Sequence, residues 1–147
     1  MKARSKARAA ARLAAVQALY QYEMEGTPIA RLLDEFHLHR LGAQIDDDRY
    51  AQAEVTFFDD VVKGVVARRE EIDEIIASKL AQGWALARLD RTMLQILRAG
   101  SYELMARADV PTGAAITEYV DVAHAFFEQR EARFVNGVLD AVAKAVR

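Results

Sequence analysis

Apolar residues recur at intervals of three and four along most of this chain, the spacing of one helix face rather than the alternation of a half-buried strand. Leu13, Val16, Tyr20 and Met24 set the first such stripe. Ile29, Leu32, Leu33 and Phe36 set the second, with Thr27 read as its N-cap and Pro28 as its first helical residue. Gly42 is read as the close of that region and AQIDDDRY as a charged linker, after which Val55, Phe58, Val61, Val62 and Val65 mark a third helix. A fourth, around Ile72, Ile75, Ile76 and Leu80, follows RREE. Gly83 and Trp84 interrupt the pattern, and it resumes from Leu89 through Leu104. Pro111 opens a helix carrying Ile116, Val120, Ala123 and Phe127, and the last helix runs from about Ala132, with Phe134, Val138, Leu139, Val142 and Val146 at helical spacing. Two prolines and seven glycines are too few to punctuate an all-β chain. The expectation is an all-α, single-domain bundle of six or seven helices over residues 1–147, in an N-terminal and a C-terminal helical half that part near the third or fourth helix.

Charge sharpens this picture at one place. Lys2, Arg4, Lys6, Arg8 and Arg12 precede the first acidic residue, Glu23. The chain holds 20 basic and 22 acidic residues in all, so beyond these five the balance is 15 against 22. A basic helix start at about 1–12 on an otherwise acidic body predicts that a polyanion is met on a defined face. Arg4, Arg8 and Arg12, four residues apart, fall on a flank separate from the apolar stripe and are expected to face solvent or ligand. Two blander readings compete: a solvated helix end, and an Arg-rich, acid-poor transit peptide. Against the latter, the pattern runs from Ala3 into LAAVQALYQYEM without Gly, Pro or a cleavage site.

Other chemistry is sparse. No apolar run approaches the roughly 20 residues that span a bilayer, and no signal peptide is recognisable, so a soluble, cytoplasmic protein is expected. With no Cys there is no disulfide, thiolate nucleophile or zinc–thiolate site. His37 and His39, two apart, point to different helix faces, and with His124 they are read as surface residues, leaving no metal site. Ser101 in AGSYE lacks the strand–turn–helix context of a nucleophile elbow, and the scattered glycines form no phosphate-binding loop. No carboxylate pair stands in an apolar setting, and no catalytic residue or cofactor is assigned.

Five strings are distinctive in their order and spacing: ARLAAVQALYQ, FFDDVVKGV, the W-A-L-A-R-L-D-R pattern ending in ILRAGSYEL, DVP followed by ITEYVDVA, and RFVNGVLD. Together they resemble the NusB transcription antitermination family over nearly the whole chain. The resemblance implies a NusB-like, all-α RNA-binding adaptor, not an enzyme. Such a protein binds boxA-containing single-stranded RNA together with the small-ribosomal-subunit protein NusE. It joins the RNA polymerase antitermination complex and supports processive transcription, notably of ribosomal RNA operons. Monomer and homodimer are both left open. This chain departs from the family's frequent INEAVELAK at Ile116–His124, where Thr117 lacks the amide.

The same resemblance adds site candidates. Recognition of single-stranded RNA needs cations for phosphate and aromatic faces for splayed bases. Besides the five N-terminal cations it points to Phe134 as a base contact and to Tyr20 near the RNA and partner surface, while Arg130 and Arg133 stand where family members vary and are read as added phosphate contacts or helix-start charge. Periodicity alone gives Phe134 and Tyr20 core roles. Trp84, Leu86 and Asp90 are carried over as NusE contacts, with Trp84 alternatively an interhelix wedge. Gly137 is read as a close-packing glycine and Asn136 as a backbone-bonding one. The rival function is a detached structural or protein-interaction module related to rRNA methyltransferase N-terminal domains. Without Cys the chain cannot supply those enzymes' thiol nucleophile.

Overall fold

The computed structural model describes the backbone of residues 2–39 and 48–147 and, within these, the side chains of residues 6–38 and 54–147. Among the described residues the ordered elements are seven α-helices and one 3-10 turn, and strands are absent. The helices are α1 (Lys2–Glu25), α2 (Ile29–His39), α3 (Asp48–Ala67), α4 (Arg69–Lys79), α5 (Arg91–Ala106), α6 (Thr112–Phe126) and α7 (Gln129–Val146), with the 3-10 turn at Leu86–Arg88. Two compact units, Met1–Lys63 and Gly64–Arg147, divide within α3, at the third helix as the periodicity suggested. Gly42, His39's side chain and most of the proposed linker lie outside the described residues; the last three linker residues, Asp48 to Tyr50, already belong to α3.

In the first unit α1 packs on α2. The buried side of α1 is not the stripe of large residues. Ala7, Ala11, Ala14, Ala15 and Ala18 are buried with Val16 and Leu19, whereas Tyr20 is 39% and Met24 52% exposed. Alanines bring a helix surface close to its neighbour, so the contact face follows the small residues rather than the bulky ones. Phe36 of α2 stacks on Phe58 of α3 at 5.4 Å between ring centroids. His37 Nε2 lies 2.6 Å from Asp59 Oδ1, with the imidazole also edge-on to Phe58. His37 is therefore a part-buried interhelical contact, not the plain surface residue expected. The N-cap of α2 also shifts by one: Leu32 N–H donates to Pro28 O at 3.0 Å, making Pro28 the cap, while Thr27 Oγ1 accepts from Gln21 Nε2 at 3.5 Å.

In the second unit α5 is the central element, buried at every position from Met93 to Leu104, with α4, α6 and α7 packed on it. Two glycines allow this. An added Cβ on Gly64 would run into the Tyr102 ring, and one on Gly100 would lie 2.8 Å from Leu139 Cδ1. Charged groups inside are paired: Arg98 makes a bidentate bond to Asp73 at 2.8 and 2.9 Å, and the Tyr119 hydroxyl donates to the fully buried Glu103 carboxylate, whereas the buried Ser101 hydroxyl has no hydrogen-bond partner among the described residues. Glu103 and Glu54 are buried carboxylates that periodicity did not single out. The Arg147 guanidinium donates to the carbonyls of Leu104 (2.9 Å), Arg107 (2.7 Å) and Val110 (2.7 Å) and to Thr112 Oγ1 (3.0 Å), tying the end of α5 to the start of α6. Helix α7 starts three residues before the position read from periodicity. Glu128 and Glu131 form a reciprocal capping box, with Glu128 N–H donating to Glu131 Oε1 at 3.1 Å.

Candidate nucleic-acid interface

The basic helix start is only partly a solvent-facing row. The side chains of Lys2 and Arg4 lie outside the described residues, and Lys6 is exposed. Arg8 and Arg12 both place their guanidinium carbons over the Phe57 ring, at 4.9 and 5.0 Å from its centroid. Arg12 is 4% exposed, and Arg8 is half-buried. Residues 8 and 12 are one turn apart, so a phenylalanine on α3 beneath them meets both, and its negative ring face offsets part of their mutual repulsion. This corrects the expectation that Arg4, Arg8 and Arg12 form one free flank: Arg12 is turned inward. Tyr20 is on the surface rather than in the core, with Met24 one turn further on.

The second unit carries a cavity of about 620 Å³. The segment after α4 supplies Trp84 and Arg88, the start of α5 supplies Asp90 and Met93, and the α6–α7 junction supplies Phe127, Arg130, Glu131 and Phe134. Each is placed by local physics. Gly83, at φ +89°, turns the chain so that Trp84 stands outward, 57% exposed, with the Arg88 guanidinium 6.0 Å from its ring centroid. Trp84 is thus no interhelix wedge in the core. Asp90 caps α5, its Oδ1 accepting from Thr92 N–H at 2.8 Å and Met93 N–H at 3.1 Å. The capping box fixes the first turn of α7, from which Arg130 projects with its side chain 93% exposed and bonds Glu131 Oε2 at 3.1 Å. That bond from Arg130 holds the Glu131 carboxyl below the ordinary glutamate range, and backbone N–H bonds add to it against the opposing pull of burial.

Four sequence-predicted residues from two separate assignments therefore share one cavity: Trp84 and Asp90, read as partner contacts, and Arg130 and Phe134, read as RNA contacts. Phe134 is half-buried in the wall, which gives it neither a full core role nor a free ring. Arg133 is exposed beside the cavity without lining it, and it has no ion pair among the described residues. Leu86 stays outside the lining too; its carbonyl accepts from Arg91 Nη2 at 2.7 Å. Phe127 was named only as an apolar position of its helix, and Arg88 was not singled out as a site residue. Both were findable, Phe127 as an aromatic at a helix end and Arg88 as a cation four residues after the lone tryptophan. Aromatic walls with a cationic and carboxylate rim suit a flat, polar-edged ring such as a nucleobase. Among the described residues no group of three His, Cys, Asp or Glu side chains could hold a metal ion, and no helix is long and apolar enough to cross a membrane.

Gly137 departs from the close-packing role expected of it. It is exposed, and an added Cβ would meet nothing within 4 Å.

These features define an all-α helical module with a basic first helix and an aromatic cavity. Residues 9–144 match the NusB family model, and the chain belongs to the NusB family. It is 76% identical over 142 residues to the transcription antitermination protein NusB of Novosphingobium aromaticivorans, covering 97% of this chain and 96% of that one. It is 65% identical to the protein of the same name from Sphingopyxis alaskensis over 147 residues, 100% of this chain and 99% of the other. Among solved structures, a complex of the antitermination factors NusB and NusE with double-stranded RNA superposes with a TM-score of 0.79 at 28% identity, covering 95% of this chain and 98% of that one.

Proposed function

We propose that this chain is a transcription antitermination factor that binds boxA RNA together with NusE and supports processive transcription, notably of ribosomal RNA operons. The observation that carries the reading is near-full-length identity to antitermination proteins, with one cavity joining the RNA and partner candidates. It acts as a cytoplasmic, non-enzymatic adaptor within the RNA polymerase antitermination complex, with residues 1–147 as one functional domain. Lys2, Arg4, Lys6 and Arg8 meet phosphates, with Tyr20 at their edge. Phe134 stacks a base in the cavity, and Arg130 and Arg133 hold the adjoining phosphates. Trp84, Leu86 and Asp90 meet NusE. Because Trp84 also lines the cavity, partner and RNA adjoin at its rim, which supplies a route to mutual stabilisation. A detached structural module is disfavoured, since the full-length relatives are themselves antitermination proteins.

Titration of the chain with boxA RNA and with a scrambled RNA at the same salt, with and without NusE, tests this. Preference for boxA is expected, with saturating NusE tightening RNA binding by about 5- to 150-fold, equivalent to roughly 1–3 kcal/mol. The four cations of the first helix alone should contribute roughly −3 to the slope of log K against log salt, at about −0.7 for each phosphate met on a single strand. Equal affinity for both RNAs in the presence of NusE would overturn the assignment.

A further inference from the structure

An arginine that meets phosphate carries a long, rotamer-rich side chain, and ordering it on binding costs affinity. The described part of the first helix treats its cations unequally in this respect. Lys6 is exposed, with no ring against it among the described residues. Arg8 is half-buried, with its guanidinium carbon 4.9 Å from the Phe57 centroid, and Arg12, one turn on, is buried with its own 5.0 Å from the same ring. Phe57 belongs to α3 and is 3% exposed, so the ring is fixed by its packing rather than by the cations it meets. Like charges one turn apart on a helix repel, and the negative ring face is what draws both to one place. Of the two, Arg12 is enclosed by protein, whereas Arg8 keeps part of its surface in solvent.

We propose that Phe57 is a positioning residue for RNA: without touching the nucleic acid, it holds the Arg8 guanidinium in place before a phosphate arrives. Part of the ordering cost of Arg8 is thereby met on folding instead of on binding. Arg12, buried beside it, adds positive potential at the same place without reaching the ligand itself. This rests on the RNA-binding reading above and assigns within it a residue of the third helix, outside both the basic segment and the cavity.

Positioning and charge leave different marks in a salt series. The slope counts phosphates neutralised, at about 0.7 each, and a loosened Arg8 keeps its charge. Phe57→Leu, which retains an apolar side chain but loses the ring, should therefore lower boxA affinity about three- to tenfold at every salt, with the wild-type slope, when measured where the variant is fully folded. Arg8→Ala should lower affinity and flatten the slope by about 0.7. The two losses should not add: on an Arg8→Ala background Phe57→Leu should change RNA affinity by less than about twofold, while on a Lys6→Ala background it keeps its full effect. Phe57→pentafluorophenylalanine keeps a ring in the core and withdraws the negative charge from its face, so it should reproduce the loss even if Phe57→Leu does not fold. In the free chain, ring-current shifts of the Arg8 side-chain protons should be present in wild type and absent in Phe57→Leu. Unchanged RNA affinity in the Phe57 variants would overturn the proposal. So would a full loss from Phe57→Leu on the Arg8→Ala background, which would mean that the ring acts through Arg12 or through the fold. A slope flattened by more than one phosphate's worth would overturn it too, as the mark of a displaced α1. If the wild-type chain shows no boxA binding even with NusE, the function proposed above fails, and the role of Phe57 fails with it.

Discussion

Replacing Arg12 by alanine separates two roles that the sequence merges. In the sequence Arg12 continues the series Arg4, Arg8, Arg12, and a phosphate contact is the natural reading. In the fold Arg12 is 4% exposed, and its guanidinium carbon lies 5.0 Å from the Phe57 centroid. A desolvated cation–π contact contributes about 1–2 kcal/mol, and the aliphatic stem adds packing of its own. Arg12→Ala should therefore destabilise folding by about 2 kcal/mol or more. At roughly 2–4 °C per kcal/mol for a chain of this size, the melting temperature should fall by about 4–8 °C. Its RNA binding, measured where the variant is fully folded, should keep the wild-type salt slope. Lys6→Ala should behave in the opposite way: exposed, it changes stability by no more than about 0.5 kcal/mol but flattens the slope by about 0.7, one phosphate's worth. Circular dichroism melts and RNA titrations across a salt series read both quantities. An Arg12→Ala protein that melts normally and loses about 0.7 of slope would refute the inward reading of Arg12.

Three further outcomes are expected. Asp90→Ala removes the cap of α5 and should cost about 1 kcal/mol in thermal unfolding, whereas Asp90→Asn keeps an acceptor oxygen; if Asp90 meets NusE through its charge, Asp90→Asn weakens that complex with little change in melting. Asp73→Ala removes both carboxylate bonds to the buried Arg98 guanidinium and should cost about 3 kcal/mol by urea titration, the low end for a broken buried pair because Asp73 is a quarter exposed and Gln95 Oε1 still accepts from Arg98. Glu131 has a depressed carboxyl pKa, so its stabilising contribution is complete above the unfolded value of about 4.3 and is lost as pH falls through the lower folded value. The melting difference between wild type and Glu131→Gln should accordingly shrink as pH is lowered from about 6 to about 3.

The helices were legible because large apolar residues at helical spacing mark them directly, and Val61, Val62, Ile72, Ile76, Val138 and Leu139 are indeed buried. The orientation of α1 was not. Its contact face is built from alanines, which carry little periodic signal, so Tyr20 and Met24 drew attention that belonged to Ala11 and Ala15. The start of α7 was read late because Glu128 and Glu131 look like surface charges until their reciprocal bonds are seen. The cavity was half legible. Its members were named singly, but that Trp84 and Phe134, 50 positions apart, face one space depends on how α7 packs against α4 and α5. The buried Glu103 was invisible for the same reason, since its partner Tyr119 comes from the next helix.

The position of Trp84 gives the protein a built-in optical reporter. It is the only tryptophan in the chain, it is 57% exposed, and its indole borders the cavity with a guanidinium alongside. Light absorbed near the red edge of the aromatic band excites this one ring and bypasses the five tyrosines. Its emission wavelength reports how much water surrounds the cavity rim, and its intensity reports whether another flat ring has arrived against it. Occupancy of the cavity can thus be followed in real time on the unlabelled protein, by quenching alone.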